Sequence, residues 1–250
     1  MIRRMKWLDE VVCDHIQNFY EFNEFEDGKA SGTADRQIKR NVEMQDPDGK
    51  CSQLFMDQFW NSLFARAILT RRTTGPMFVK YSSDEEDGGG YYDFHNDAPL
   101  MGKPGGWSLR TDYLMITAIN DESEYEGGDL WIRVGSESYS YRLKKGEALF
   151  FDPNHWHSVR PVTKGERRVC VMWVETLIQN AFVRELLYDY QDLTHYAIQA
   201  LDESKWEPDI KPDTYFNAIK YKLMREYAST FHNENQQQSY GLQSTTGDTK

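Results

Sequence analysis

Leu8, Val11, Val12, Ile16, Phe19 and Tyr20 recur every three or four positions across 7–22, a spacing that predicts an amphipathic helix. His15 lies on or beside that face and reads as an ordinary packed or surface histidine. The stretch 26–50 turns polar, with Glu26-Asp27-Gly28 and Asp46-Pro47-Asp48-Gly49 as turn signals. A second helix is expected from Ser52 as N-cap, burying Met56, Phe59, Trp60, Leu63, Phe64 and Ala67. Beyond Pro76 the period shortens to that of strands, first over Met77–Tyr81. Further strands are expected at Leu109–Ile119, Asp129–Val134, Tyr139–Leu143, Ala148–Phe151 and Arg168–Val174, with Gly127-Gly128 and Gly135-Ser136 as turns. The helical period returns in two stripes. One is Val183, Leu186, Leu187 and Tyr190; the other is Phe216, Ile219, Leu223 and Tyr227, after Pro212 and a candidate cap in Asp213.

Strands at this spacing predict a sandwich or barrel, not a parallel α/β sheet. No glycine-rich nucleotide loop follows a strand, and no internal repeat is present. The acidic, glycine-rich 82–90 segment lacks the ligand spacing of an EF-hand and reads as a solvated loop able to cover a pocket mouth. From His232 onward the Asn-, Gln-, Ser- and Thr-rich composition predicts a disordered tail.

The chain has 250 residues, of which 39% are apolar and 14% aromatic, enough for a sizeable core. Its net charge of -11 argues against nonspecific nucleic-acid binding. Mean hydropathy is -0.74, and no apolar run approaches a membrane span or a signal peptide. Three widely spaced cysteines, Cys13, Cys51 and Cys170, read as reduced thiols, and a cytoplasmic location is expected. Oligomeric state is left open, a homodimer being one option.

Candidate chemistry gathers in two stretches, Tyr91-Tyr92-Asp93-Phe94-His95-Asn96-Asp97 and His155-Trp156-His157 running on to Arg167. If 95–97 is extended, His95 and Asp97 share a face and can grip one ion. A distant histidine completes two imidazoles and a carboxylate, a set that leaves open positions and suits ferrous iron without excluding zinc, manganese or nickel. His155 and His157 share a face in a strand, so either can serve; the register to Pro161-Val162-Thr163 and Arg167 favours His157. Arg167 lies in an apolar run and needs an anionic partner if buried. A small dicarboxylate, chelating the metal at one end and held by the guanidinium at the other, explains both features. Arg168 is the rival and is expected to face outward. Two other readings remain open: a zinc or manganese hydrolase or isomerase on a jelly roll, and a non-catalytic ligand-binding jelly roll.

Several short motifs occur in one order: Phe78-Val79-Lys80-Tyr81, Tyr92-Asp93-Phe94-His95-Asn96-Asp97, Trp107-Ser108-Leu109-Arg110-Thr111-Asp112, Asn120-Asp121, Tyr125-Glu126-Gly127-Gly128-Asp129-Leu130, the His157–Arg167 run and Trp173-Val174-Glu175-Thr176. With flanks at Asp27-Gly28-Lys29, Lys39-Arg40-Asn41 and Arg184-Glu185-Leu186-Leu187, the chain resembles the PKHD-type hydroxylases, iron(II)/2-oxoglutarate dioxygenases related to prolyl 4-hydroxylase. The resemblance implies a mainly β fold, a double-stranded β-helix (jelly-roll) core packed against N- and C-terminal helices. The expected division is a helical support region over 1–72, the dioxygenase core over 73–177, a C-terminal helical region over 178–230 and a disordered tail over 231–250. It implies His95, Asp97 and His157 as iron ligands and Arg167 as partner of the far carboxylate of 2-oxoglutarate, with Tyr81 and Tyr92 as pocket tyrosines beside it. Ascorbate is implied as a supporting reductant. Hydroxylation of a prolyl or lysyl residue in a protein or peptide is implied too, with succinate and carbon dioxide released; a small-molecule substrate is the other option. The chain departs from the family in the residues before His157 and in the length of its acidic loop.

Overall fold

The computed structural model describes residues 1–31, 38–84, 89–102, 108–200 and 212–228. The middle of the acidic loop, Trp107, the 231–250 tail and the side chain of Asp213 lie outside what is described. In chain order the elements are β1 (Ile2–Lys6), α1 (Glu10–Phe22), β2 (Phe25–Asp27), β3 (Lys39–Arg40), β4 (Val42–Met44), α2 (Lys50–Asn61), α3 (Leu63–Ala67) and β5 (Thr70–Thr73). They continue with β6 (Met77–Ser82), β7 (Tyr91–His95), β8 (Leu100–Gly102), β9 (Ser108–Arg110), β10 (Tyr113–Ala118), β11 (Tyr125–Gly127), β12 (Leu130–Val134) and β13 (Glu137–Tyr141). β14 (Glu147–Phe151), β15 (His157–Val159), β16 (Val162–Thr176), α4 (Ala181–Ala200) and α5 (Pro212–Tyr227) complete them.

Two sheets face each other. The larger has nine strands along the order β1-β14-β10-β16-β6-β4-β2, with β11 and β5 also on β16; the smaller runs β13-β12-β15-β7-β3. This is the expected jelly roll with flanking helices. Its organiser is β16, whose alternate residues serve two cores. Val169 joins the cluster between the sheets, with Val171 and Trp173 packed against it; Cys170, Met172 and Val174 join the cluster under the helices. β10 is buried on both faces for the same reason, Leu114 and Ile116 inward, Tyr113 and Met115 toward the helices.

The helices cover the outer face of the larger sheet. Asp9 caps α1 by accepting from the Val11 N–H at 2.8 Å, and Cys13, Ile16 and Tyr20 form its buried stripe. The Tyr20 hydroxyl donates to the Val169 carbonyl at 2.8 Å, pinning α1 to β16. Val11 and His15 are exposed, and Leu8 is buried ahead of the helix. α2 begins at Lys50 behind Gly49, not at Ser52: the Asp46 carboxylate accepts from the Ser52 N–H at 2.7 Å, doing the work expected of a Ser52 cap. Its buried stripe is Cys51, Phe55 and Phe59, while Trp60 and Leu63 are exposed. The helix stops at Asn61, and Ser62, accepting from the Ala65 N–H at 3.1 Å, starts α3 in a new phase. In α4 Val183 and Leu187 are buried but Leu186 is exposed; in α5 Ile219 and Tyr227 are exposed, since its apolar edge meets only part of the body. No described helix is long and apolar enough to cross a membrane.

The strand expected over Leu109–Ile119 is two strands, broken at Thr111 and Asp112 because Asp112 turns into a buried polar network. Its carboxylate accepts from Arg110 Nε and Nη2, both at 2.7 Å, from the Thr176 N–H at 2.8 Å and from Arg184 Nη1 at 3.1 Å. Glu175 beside it pairs with Arg71 and Arg72 at 2.8 and 2.7 Å. These contacts tie β5, the end of β16 and the start of α4 together. Removing the carboxylate strands Arg184 in a dry site, so Asp112→Ala is expected to cost about 3 kcal/mol of unfolding free energy, measured by urea denaturation. A loss under about 0.5 kcal/mol, as for a typical surface change, counts against that role.

Candidate metal centre

β7 and β15 pair antiparallel with His95 directly opposite His157, which sets the two imidazoles side by side, ring centroids 4.2 Å apart. Asp97 reaches them differently from the strand geometry expected. β7 ends at His95, and Asp97 lies beyond it, its N–H donating to the Pro153 carbonyl at 3.3 Å. Its Oδ1 nevertheless stands 3.7 Å from His95 Nε2 and 3.8 Å from His157 Nε2. The three residues each offer one ligand atom, all within 4.8 Å of one another. Ligands about 2.0–2.2 Å from a common ion stand about 3–4 Å apart, so the spacing fits one cation. β15 starts only at His157, while His155 sits in the preceding turn with its N–H on the Asp152 carbonyl. That turn removes His155 from the ligand face.

Each ring is oriented by its other nitrogen. His95 Nδ1 lies 2.7 Å from the Asp93 carbonyl and His157 Nδ1 2.8 Å from the His155 carbonyl. A carbonyl only accepts, so both Nδ1 atoms carry the proton and both Nε2 lone pairs face the shared point. Burial, helped by the neighbouring His157 ring, pushes the His95 pKa down to about 3 and keeps that ring neutral. Burial also raises the Asp97 pKa, against the pull of His157 and of the hydrogen bond from Trp173. A buried carboxylate facing two imidazole Nε2 atoms is a site that a cation stabilises.

Arg167 is 4% exposed, and its Nη1 has no hydrogen-bond partner. It lies opposite Tyr81 in the β16–β6 register, its guanidinium carbon 5.4 Å from the Tyr81 ring centre. Gly128, at φ +68°, makes room for it: a Cβ there would sit 3.0 Å from Arg167 Cδ. Arg168 points the other way and pairs with Glu21 at 2.6 Å and Glu166 at 2.7 Å. Tyr81 is buried, and burial pushes its pKa up to about 12 against the pull of the Arg167 charge. Tyr92 stacks on His95 at 3.6 Å between ring centroids, and burial raises its pKa as well. Both tyrosines line one cavity with the three candidate ligands, walled by Leu114, Ile116, Leu130, Val159 and Val171. A two-histidine, one-carboxylate set, with a buried guanidinium of unpaired Nη1 over the cavity-lining Tyr81, fits iron(II) with a dicarboxylate.

Trp173 and Asn41 were not assigned roles from the sequence. Trp173 Nε1 donates to Asp97 Oδ2 at 2.8 Å, which aims Oδ1 at the imidazoles. Counting by twos from Arg167 along β16 would have found it, since 167, 169, 171 and 173 share a face. Asn41 sits in the cavity wall with no local signal beyond its place in the Lys39-Arg40-Asn41 flank.

Residues 76–175 match the family model of the 2OG-Fe(II) oxygenase superfamily. A PKHD-type hydroxylase of Sphingopyxis alaskensis is 29% identical over 228 residues, covering 90% of this chain and 98% of its own length. Another from Azoarcus sp. is 33% identical over 160 residues, 64% of this chain and 69% of that protein. Among solved structures, a prolyl hydroxylase from Trichoplax adhaerens, in complex with a hypoxia inducible factor oxygen degradation domain peptide fragment, superposes with a TM-score of 0.52. At 15% identity over 70% of this chain and 83% of that one, the likeness is one of fold. Fold, family model and relatives thus define a 2-oxoglutarate-dependent dioxygenase, a class that uses iron(II) and 2-oxoglutarate. Within it, the chain belongs to the PKHD-type hydroxylases. Membership sets aside the hydrolase, isomerase and non-catalytic alternatives.

Trp173→Phe keeps the ring and removes the N–H. It is expected to weaken manganese(II) or iron(II) binding about tenfold with little change in melting temperature, read by anaerobic titration. Unchanged metal affinity would mean that Asp97 is held without it.

Proposed function

We propose that the chain hydroxylates an unactivated C–H of a prolyl or lysyl residue in a protein or peptide, with release of succinate and carbon dioxide. His95, Asp97 and His157 hold the iron, and Arg167 clamps the far carboxylate of 2-oxoglutarate. The observation that carries this reading is the buried, unpaired Arg167 Nη1 alongside the convergent triad. When bound, the iron and 2-oxoglutarate supply the oxidising chemistry, and ascorbate keeps the metal ferrous.

The protein's part is binding, orientation and exclusion of water. Arg167 offers a charge-assisted fork to a carboxylate and lies over the ring of Tyr81, which lines the cavity. The His95 and His157 rings stay fixed by their Nδ1–H bonds to main-chain carbonyls, and Trp173 holds the carboxylate of Asp97. The aliphatic wall keeps the reacting centre dry, which strengthens each of these electrostatic contacts. Tyr92, stacked on His95, faces the same space and is placed to border the substrate.

Asp97→Ala removes the charged ligand and is expected to abolish succinate formation; retained turnover would place the metal elsewhere. Arg167→Ala is expected to raise the Kd for 2-oxoglutarate about tenfold to a hundredfold while metal still binds, and Arg168→Ala to leave it unchanged. Calorimetry on the manganese-loaded protein reads both, and the reverse ranking would reassign the carboxylate clamp. Incubating the iron-loaded enzyme and 2-oxoglutarate with proline- and lysine-containing peptides, then searching for one added oxygen by mass spectrometry, tests the substrate class.

A further inference from the structure

Lys39 is 5% exposed, sits on β3 directly opposite Tyr92 of β7, and lines the cavity that holds His95, Asp97 and His157. A buried ammonium is costly unless it is paired and hydrogen-bonded, and here it is both. Its Nζ donates to Glu43 and to the Ser31 hydroxyl, each at 2.8 Å, and Ser31 donates in turn to the same Glu43 oxygen. Lys39 belongs to the smaller sheet and Glu43, opposite Val79, to the larger, so the ion pair joins the two sheets.

The same ammonium has an aromatic neighbour. Lys39 Nζ lies 5.4 Å from the centre of the Tyr92 ring, within cation–π range. Tyr92 is stacked on His95, with centroids 3.6 Å apart and planes 16° from parallel. Ammonium, phenol ring and imidazole thus follow one another toward the candidate metal ligands. The ion pair also acts unevenly on its surroundings. Burial is the largest influence on the pKa of His95 and of Asp97, and the Lys39 charge acts on each in the downward direction. The Glu43 charge, again behind burial, is felt at Tyr81 and Tyr92. The cationic end of the pair is the one that reaches the ligands.

A fixed cation near a metal disfavours the more highly charged state of that metal, and the low dielectric of a dry wall strengthens the effect. We propose that Lys39 is a positioning residue of the metal centre: held by Glu43 and Ser31, its ammonium fixes the Tyr92 ring on His95 and biases bound iron toward the ferrous state. This rests on the reading of His95, Asp97 and His157 as iron ligands. Loss of one electron turns iron(II) into iron(III), and ascorbate returns that electron. A cation built into the wall makes the loss rarer and the demand for ascorbate smaller.

The test uses the full-length, iron-loaded protein, with ferric iron read by electron paramagnetic resonance on samples held at set potentials. Lys39→Met removes the charge and keeps an unbranched side chain. It is expected to raise the ferric-to-ferrous ratio at a given potential about tenfold, a midpoint lower by about 59 mV. Lys39→Arg keeps the charge, and its ratio should stay within about twofold of the wild type. Lys39→Met leaves Glu43 buried without its partner, which costs stability, so Lys39→Met/Glu43→Gln is measured beside it and a shift in the same direction is expected. Without ascorbate both charge-free variants should lose succinate formation sooner than the wild type, and ascorbate should restore it. An unchanged midpoint in the double variant overturns the proposal. An equal shift in Lys39→Met and Lys39→Arg overturns it in favour of packing alone, and a raised substrate KM with the midpoint held overturns it in favour of a substrate contact. An Asp97→Ala variant that binds manganese(II) as tightly as the wild type removes the metal reading itself, an outcome distinct from the failure of Lys39.

Discussion

The pairing of His95 with His157 across β7 and β15 is the contact on which the site depends. Residues directly opposite in an antiparallel pair have Cβ atoms about 5 Å apart, so the ladder itself brings the two imidazoles to one point before any metal is considered. Main-chain carbonyls at Asp93 and His155 then fix which nitrogen faces that point. The register of one short strand therefore does what a preorganised ligand set requires. Asp97 comes from outside the ladder and needs two further anchors, the Pro153 carbonyl and the Trp173 indole.

β16 supplies the second constraint. Its alternation sends Arg167 and Trp173 to the cavity face, and Arg168, Cys170 and Met172 to the helix face. A slip of one residue would exchange the side chains that fill the two cores and turn Arg168 to the inter-sheet side in place of Arg167, so packing on both faces enforces the register. The same strand decides between the two adjacent arginines. Glu21 on α1 is placed to take Arg168, and no comparable contact takes Arg167 Nη1.

Much of this was readable from residue order. The interior strands carried clear alternation or apolar runs, and the triad and Arg167 stood in motifs of recognisable spacing. His157 was preferred over His155 from its register to Arg167; the physical reason, a turn at 152–155 with the strand starting afterwards, is visible only in three dimensions. The shared-face reasoning for His95 and Asp97 names two residues that do converge, but through a different local geometry, because nothing in five residues says where β7 stops. β1 through β5 are short, polar or mixed, and exist through pairing with distant strands, so no periodicity announces them. The second helix was misphased because Ser62 restarts the helix at a point where the apolar spacing continues unbroken.

β16 also carries two opposite solutions to burying arginine. At its C-terminal end Arg71, Arg72, Arg110 and Arg184 gather on Glu175 and Asp112, so each charge brought out of water meets a carboxylate of the chain. Farther toward the start of the strand Arg167 is more deeply buried than any of them, and its Nη1 meets no carboxylate. A fold able to pair four arginines at one end of a strand has the means to pair a fifth. Pairing it internally would stabilise the chain and close the pocket to a diacid, since a neutralised guanidinium offers a carboxylate little. In the proposed reading the unpaired end is the one that binds, and the paired end is the frame that holds the strand in register.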